Sequence, residues 1–153
     1  MKLEEELKMQ QFSSIFHKAA VNILFTGHWL ESKMQQSLKI YGITIPQYNV
    51  LRILRGNKGA PLSAFDIQER MIHRTSNVSR ILEKLVEKKL VLRNDNDANR
   101  RKIEVYLTDA GRALLERADI VSDELNEQMK LIMDAQQAND FNAWLDNLRS
   151  NFK

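Results

Sequence analysis

The chain has 153 residues, a length that suits a hydrophobic core of its own, so we expect residues 1–153 to form a single domain. Hydrophobic residues make up 43% of the chain and charged residues 28%, a balance typical of globular proteins and not of disordered ones. The absence of cysteine excludes disulfides, thiolate zinc sites and thiol-based redox sensing. No uncharged apolar run reaches membrane-spanning length and the N-terminus is acidic, so we expect a cytoplasmic protein without a membrane partner.

The net charge of +3 is distributed unevenly along the chain. Residues 70–102 carry ten Lys or Arg and four Asp or Glu, a net charge of +6, whereas residues 103–153 have a net charge of −5. A basic segment beside an acidic one indicates a surface that faces a polyanion. A solvated helix face would give the same pattern, so charge alone leaves both interpretations open.

The first long segment, residues 5–41, has apolar residues at the spacing of one helix face. It exceeds the length of an ordinary globular helix, so we expect it to bend or break near Gly27 and to end at Gly42. A second helix follows, with Thr44 as its N-cap and Pro46 in its first turn, where a missing N–H does no harm.

Two shorter helices are predicted in the basic middle of the chain. Ser63 caps the first of them. Asp66, three residues later, gives the spacing of a capping box, with aspartate in place of the usual glutamate. After a turn, Thr75 caps a second helix over about residues 76–89, which carries one apolar stripe.

The pattern then changes from helical spacing to the alternation of strands. Residues 90–93 and 102–107 are each predicted to form a short strand around a polar turn. Thr108 caps a further helix that continues to about Ile132, and a last helix begins near Gln136.

The predicted fold is therefore mainly α-helical with a small β-hairpin. A helix pair followed directly by a hairpin is typical of a winged helix-turn-helix, which we place at residues 43–108. Residues 5–41 and 109–153 flank it with long amphipathic helices.

The polar face of the helix predicted at residues 76–89 suits the major groove of DNA. Asn can read adenine and Arg can read guanine with paired hydrogen bonds, and Ser or Thr at a helix N-terminus suits phosphate. Recognition helices of this class present their N-terminal residues to the bases. The candidate DNA contacts here are Arg74, Thr75, Ser76, Asn77, Ser79, Arg80 and Lys84. An ordinary surface helix with a polar start is the alternative.

The loop of the hairpin supplies a second set of DNA contacts: Asn99, Arg100, Arg101 and Lys102. Adjacent cations repel one another unless an anion lies between them, and phosphate or the minor groove is the natural partner. A solubilising turn is the alternative.

The same loop begins like a calcium-binding loop, with Asp95, Asp97 and Asn99. Arg100 stands where such a loop needs glycine, and Tyr106 stands where it needs a bidentate glutamate. We therefore expect no metal and no cofactor.

Three stretches resemble the MarR family of transcriptional regulators, namely residues 42–54 (GITIPQYNVLRIL), 77–91 (NVSRILEKLVEKKLV) and 99–111 (NRRKIEVYLTDAG). The third is the most specific, since the family's wing commonly reads Asp-Arg-Arg, then a strand, then Leu-Thr-x-x-Gly. Asn99 stands where the family usually has aspartate. Lys89 stands where glycine often precedes the strand, so that turn must change its conformation or be strained.

The resemblance implies a homodimer built from the first and last helices, that is, from residues 5–41 and 109–153. Such a dimer would bind a near-palindromic operator on double-stranded DNA as a repressor and be released by a small molecule. Apolar residues near the C-terminus agree with a dimer, although the chain's own first helix could also cover them. The interface candidates are Phe12, Phe16, Phe141, Trp144, Leu145, Leu148 and Phe152. The candidates for contact with a small aromatic effector are His17, His28 and Trp29.

Two other classes of function compete with a DNA-binding regulator. An enzyme is not expected, because the sequence has no nucleophile motif, metal-ligand set or phosphate-binding glycine loop. A winged helix that binds protein instead of DNA is disfavoured by the basic segment but stays open.

Overall fold

The computed structural model describes residues 2–9, 11–95 and 103–151, and it is mainly helical with one β-hairpin. The helices in chain order are α1 (Leu3–Leu7), α2 (Ile15–Leu38), a 3-10 turn (Lys39–Tyr41), α3 (Ile45–Gly56), α4 (Ala64–Arg70), α5 (Val78–Glu87), α6 (Asp109–Ala118), α7 (Ile120–Ile132) and α8 (Ala135–Asn151). The strands are β1 (Val91–Asp95) and β2 (Ile103–Leu107). The predicted fold class, a helical chain with a winged helix-turn-helix, is confirmed. Within the described ranges, every helix is too short or too polar to traverse a bilayer.

The N-terminal segment breaks before residue 15 and not near Gly27. Lys8 ends α1 in the left-handed conformation, with φ at 51°, and Ser14 starts α2 by accepting a hydrogen bond from the His17 N–H at 3.0 Å. Helix α2 runs through Gly27 without interruption. The prediction was wrong because one glycine costs a long helix only about 1 kcal/mol, whereas a serine N-cap favours a new start.

Reciprocal capping boxes begin α3 and α4. The predicted caps Thr44 and Ser63 and the predicted Ser63–Asp66 pair are confirmed, whereas the return bond from Gln47 was not predicted. Thr44 Oγ1 accepts from the Gln47 N–H at 3.4 Å, and Gln47 Oε1 accepts from the Thr44 N–H at 3.1 Å. Ser63 and Asp66 repeat this exchange at 3.1 and 3.0 Å. Each box satisfies N–H groups that have no partner inside the helix, and so fixes where α3 and α4 begin.

The core lies between the end of α2, α3, α4, α5, the hairpin and α6. Its largest fully buried side chains are Leu38, Leu51, Ile67, Leu85, Leu115, Val50, Val91 and Val105. Burial of each such side chain contributes roughly 1.5–3 kcal/mol relative to exposure. The core therefore packs one face of α5 against the wing and leaves the opposite face of that helix in solvent.

The wing is an antiparallel pair in which β1 and β2 run in register from Val91 opposite Leu107 to Asp95 opposite Ile103. Leu62 extends this sheet, since it exchanges backbone hydrogen bonds with Val105 at 3.2 and 2.9 Å. The bridge was not predicted, because a single bridged residue leaves no alternating apolar pattern in the sequence.

The helix predicted after Thr108 is two helices that meet at Asp119, whose backbone is helical with φ −61° and ψ −25°. Thr108 caps α6 as predicted, with Oγ1 accepting from the Gly111 N–H at 2.9 Å. Met133 is extended and ends α7, and α8 follows within two residues.

Candidate nucleic-acid interface

Helix α5 is the second helix of a helix-turn-helix, and Asn77 is its N-cap. Asn77 Oδ1 accepts from the Arg80 N–H at 3.1 Å. Thr75, the predicted cap, lies instead in a turn closed by the Ser76 N–H and the His73 carbonyl at 3.1 Å. The predicted start is therefore wrong by two residues, because asparagine caps as well as threonine and this turn holds Thr75 outside the helix.

The predicted contacts of α5 lie together on its solvent face. Ser79, Arg80 and Lys84 are all exposed, while the opposite face packs in the core. Arg74 lies in the preceding turn, also exposed, and its carbonyl accepts from Gln68 Nε2 at 3.0 Å. The structure thus brings the turn and the helix start into one exposed polar surface.

The cations of the basic segment have different roles. Arg80 makes no side-chain hydrogen bond or ion pair to any residue that the structure describes. Lys84 Nζ lies 2.9 Å from Glu87 Oε2 on its own helix. Lys88 points away from this surface, and its Nζ donates to the Gly42 carbonyl at 2.5 Å. Arg80 is therefore available to a ligand, whereas Lys88 is structural.

The wing residues Asn99, Arg100, Arg101 and Lys102 lie outside the described residues. The strands that lead to them are in place beside α5. On β2, the Tyr106 hydroxyl donates to Glu104 Oε2 at 2.7 Å, and this bond raises the pKa of Tyr106 above its ordinary value.

Helix α5 ends in a Schellman motif centred on Lys89. The Leu90 N–H donates to the Leu85 carbonyl at 2.9 Å, and the Lys89 N–H donates to the Val86 carbonyl at 2.8 Å. Lys89 has φ at 58°, the left-handed region that favours glycine. Of the two alternatives that the sequence left open at this turn, the structure shows the strained one.

The Thr108-x-x-Gly111 sequence ties the end of α5 to the start of α6. Thr108 Oγ1 donates to the Lys89 carbonyl at 2.9 Å while it caps α6. A Cβ on Gly111 would lie 2.1 Å from the Leu90 carbonyl oxygen, so only glycine fits there without movement. The pair therefore fixes α5 to the helices that follow the wing.

A polar network that sequence reasoning missed joins α3 to the junction of α6 and α7. Arg55 binds the Asp119 carboxylate with both terminal nitrogens, at 2.5 and 3.1 Å. The hydrogen bond to Asp119 raises the pKa of Arg55 above its ordinary value. Charge spacing along one helix could not have shown this pair, since its partners are 64 residues apart.

The predicted interface residues lie on α2, α8 and the segment before α2. Phe141 and Trp144 on α8 are 46% and 50% exposed, so the chain's own α2 does not bury them. Phe16 on α2 is 79% exposed. Leu145 and Leu148 are half-buried. Phe12 is half-buried and stacks edge-on against a histidine, and Phe152 lies outside the described residues. Helix α8 has no buried residue.

The three predicted effector contacts do not meet in one pocket. His17 lies at the start of α2, where its Nδ1 is 2.9 Å from Ser13 Oγ. His28 lines an open cleft of about 680 Å³ between α2, the start of α3 and the turn before α5. Trp29 lines a different cleft, of about 240 Å³, between α2 and α1.

A histidine–carboxylate contact spans the cleft that His28 lines. His73 Nε2, in the turn before α5, lies 2.6 Å from Glu31 Oε1 on α2. This contact links the helix-turn-helix directly to the first long helix. Among the described residues, no group of three or more His, Asp or Glu is placed to hold a metal ion.

A sequence profile of the MarR family matches residues 41–102. The HTH-type transcriptional repressor MdtR of Bacillus subtilis strain 168 is 33% identical over 104 residues, which are 68% of this chain. The match spans 61% of that repressor's length.

Solved structures show the same fold. The S. aureus MepR–DNA complex matches with a TM-score of 0.79 at 24% identity, covering 93% of this chain and 100% of that one. The organohalide-sensing regulator RdhR, bound to 2,4-dichlorophenol, matches at 0.79 and 18% identity, covering 90% and 80%. A MarR-like regulator from Bacillus cereus matches at 0.76 and 17% identity, covering 89% and 96%.

Proposed function

We infer that this chain, which belongs to the MarR family of transcriptional regulators, is a sequence-specific DNA-binding repressor that acts in the cytoplasm on double-stranded DNA. The observation that carries this proposal is the exposed start of α5, where Arg80 has no partner among the described residues. A helix presented in this way fits the major groove, and its free guanidinium matches guanine. Membership of a family of regulators also supports the expectation that the chain is not an enzyme.

The candidate DNA contacts divide into residues that read bases and residues that bind the DNA backbone or the minor groove. Arg80 and Ser79 are proposed to read bases, while Arg74, Thr75, Ser76 and Lys84 bind the backbone beside them. Asn77 already uses its amide oxygen as the helix cap, so its reading of adenine through both amide atoms would compete with that cap. The wing residues Asn99, Arg100, Arg101 and Lys102 are proposed to hold the phosphates or the minor groove.

A homodimer is proposed, with residues 43–108 as the DNA-binding head and residues 5–41 and 109–153 as the dimerisation regions. What supports it is the set of uncovered aromatic side chains on α2 and α8, since a second copy would remove them from water. A two-fold dimer places two heads on a near-palindromic operator with half-sites about one DNA turn apart.

A small aromatic effector is proposed to release the operator by binding in the cleft between α2 and the head. RdhR, a structural neighbour, is bound to 2,4-dichlorophenol, which is a ligand of this class. The Glu31 and His73 side chains are each more than 40% exposed, so their contact is weak and an acidic ligand could compete with Glu31 for the histidine. Of the predicted effector contacts, His28 lies in this cleft, and His17 and Trp29 would act from outside it.

Binding to the DNA upstream of the protein's own gene, measured as salt is raised, tests the proposed function. We expect affinity to exceed that for random DNA of equal length, and to fall steeply with salt because several phosphates are contacted. Addition of aromatic acids or phenols should then release the upstream DNA. Absence of salt-dependent binding to any DNA would favour a winged helix that binds protein.

A further inference from the structure

Three side chains of α3 meet two side chains at the junction of α6 and α7. Tyr48, Arg52 and Arg55 follow one face of α3 at intervals of four and three residues. Asp119 lies between α6 and α7, and Ser122 lies one turn later. This cluster, which we call the joint, is a side-chain connection between the winged helix and the helix that leaves it.

The joint is closely hydrogen-bonded. The buried Tyr48 hydroxyl lies 3.3 Å from Asp119 Oδ1 and 2.8 Å from Ser122 Oγ. Arg52 Nη1 donates to the same serine oxygen at 2.8 Å, and Arg55 holds both oxygens of the Asp119 carboxylate. A paired arginine–carboxylate contact fixes direction as well as distance, because both groups are planar.

The Asp119 carboxylate bonds to α3 and does not cap its own helix, α7. Asp119 occupies the N-cap position of α7, yet its carboxylate makes no capping hydrogen bond there. Aspartate at such a position normally satisfies the free N–H groups of the helix that it precedes. Here the carboxylate points across to α3, so the direction of α7 is tied to the winged helix.

We propose that Asp119 is a positioning residue that sets the angle between the winged helix and α7, and thereby the separation of the two α5 helices in the dimer. The inference rests on the proposed homodimeric operator binding. Its consequence is that the joint determines which half-site spacing the protein prefers, although no atom of the joint lies on the exposed surface of α5. A contact that served stability alone would change the free energy of unfolding and leave the preferred spacing unchanged.

The test compares Asp119→Asn with Asp123→Asn, which removes the same charge from an exposed position on α7. Each variant is titrated with duplexes that carry the upstream operator with its half-sites moved apart or together by one or two base pairs. We expect Asp119→Asn to lose about tenfold or more of the preference for the native spacing, a loss that one charge-assisted hydrogen bond can account for. Binding to a single half-site should stay at the wild-type level, and Asp123→Asn should keep the wild-type profile.

An unchanged spacing profile in Asp119→Asn would overturn the inference. If that variant fails to fold, Arg55→Lys decides the question, because lysine keeps the charge but loses the paired contact. A flattened profile in Arg55→Lys supports the inference, and the wild-type profile overturns it. A wild-type protein without any preferred spacing would overturn the proposed dimeric operator binding itself, which is a separate result.

Discussion

Gly111 shows most directly how a single residue constrains this fold. Its Cα lies against the backbone of Leu90, immediately after α5, and a methyl group there would overlap the carbonyl oxygen. Backbone atoms cannot move aside as a flexible side chain can. The glycine of the Leu-Thr-x-x-Gly sequence is therefore a packing requirement at the base of the wing.

Gly111→Ala should lower the free energy of unfolding by about 1–3 kcal/mol, because the added methyl must displace backbone. Urea denaturation measures the change. Gly27→Ala is the matched control, since a Cβ there meets nothing within 4 Å. That control should raise stability by up to about 1 kcal/mol, as alanine favours the helix. Equal effects at the two glycines would contradict the packing argument.

Lys89→Gly should stabilise the protein by about 0.5–1 kcal/mol, because glycine adopts the left-handed conformation without the Cβ clash that lysine suffers. Glu83→Gly, at an exposed helical position of α5, should instead destabilise by a similar amount. Thermal unfolding of the two variants beside the wild type gives the signs. Destabilisation by Lys89→Gly would mean that the turn is not strained in solution.

At the scale of elements, local chemistry predicted the winged helix well. The capping pairs Thr44 with Gln47 and Ser63 with Asp66 begin helices where the sequence places them, because each exchange involves residues only three apart. The alternation of β2 likewise predicted its pairing with β1.

Elements that depend on distant partners could not be predicted in this way. The Leu62 bridge and the joint at Asp119 join residues far apart in the chain, which no local pattern records. The break before α2 was missed for a local reason, because Ser14 caps a new helix there. The start of α5 was two residues off because Thr75 and Asn77 are equivalent as caps, and the preceding turn decides between them.

Alanine substitutions show whether Asn77 or Thr75 is the N-cap of α5. Asn77→Ala should cost about 1 kcal/mol of stability, because the Arg80 N–H loses its acceptor, whereas Thr75→Ala should cost much less. Urea denaturation of both variants gives the comparison. The reverse order would place the helix start at Thr75 after all.

At the scale of the whole molecule, large apolar side chains on α2 and α8 stay exposed to solvent in a single chain. Ile15, Phe16 and Leu24 on α2 are each more than 70% exposed, and Trp144 on α8 is half-exposed. Apolar surface of this extent costs free energy in water, so the proposed dimer accounts for its presence.

Trp144→Asp should shift the protein from dimer to monomer at micromolar concentration, because a charge at an apolar interface loses its hydration without a partner. Sedimentation velocity measures the shift. Phe65→Asp places the same charge at an aromatic residue of α4 that is 69% exposed, and it should leave the dimer intact. A monomeric wild type, or a dimeric Trp144→Asp variant, would contradict the proposed interface.

The proposed function depends on α5 reading DNA through Arg80. The measurement that tests this most directly compares the affinities of Arg80→Ala, Arg101→Ala and Arg112→Ala for operator and for random DNA. Arg112 is an exposed arginine of α6 and serves as the charge-matched control. Arg80→Ala should cost about 1–3 kcal/mol on the operator and much less on random DNA, because it removes a base contact. Arg101→Ala should weaken binding to both DNAs equally and reduce its salt dependence. If Arg80→Ala and Arg101→Ala weaken the binding of both DNAs to the same extent, α5 does not read the operator through Arg80.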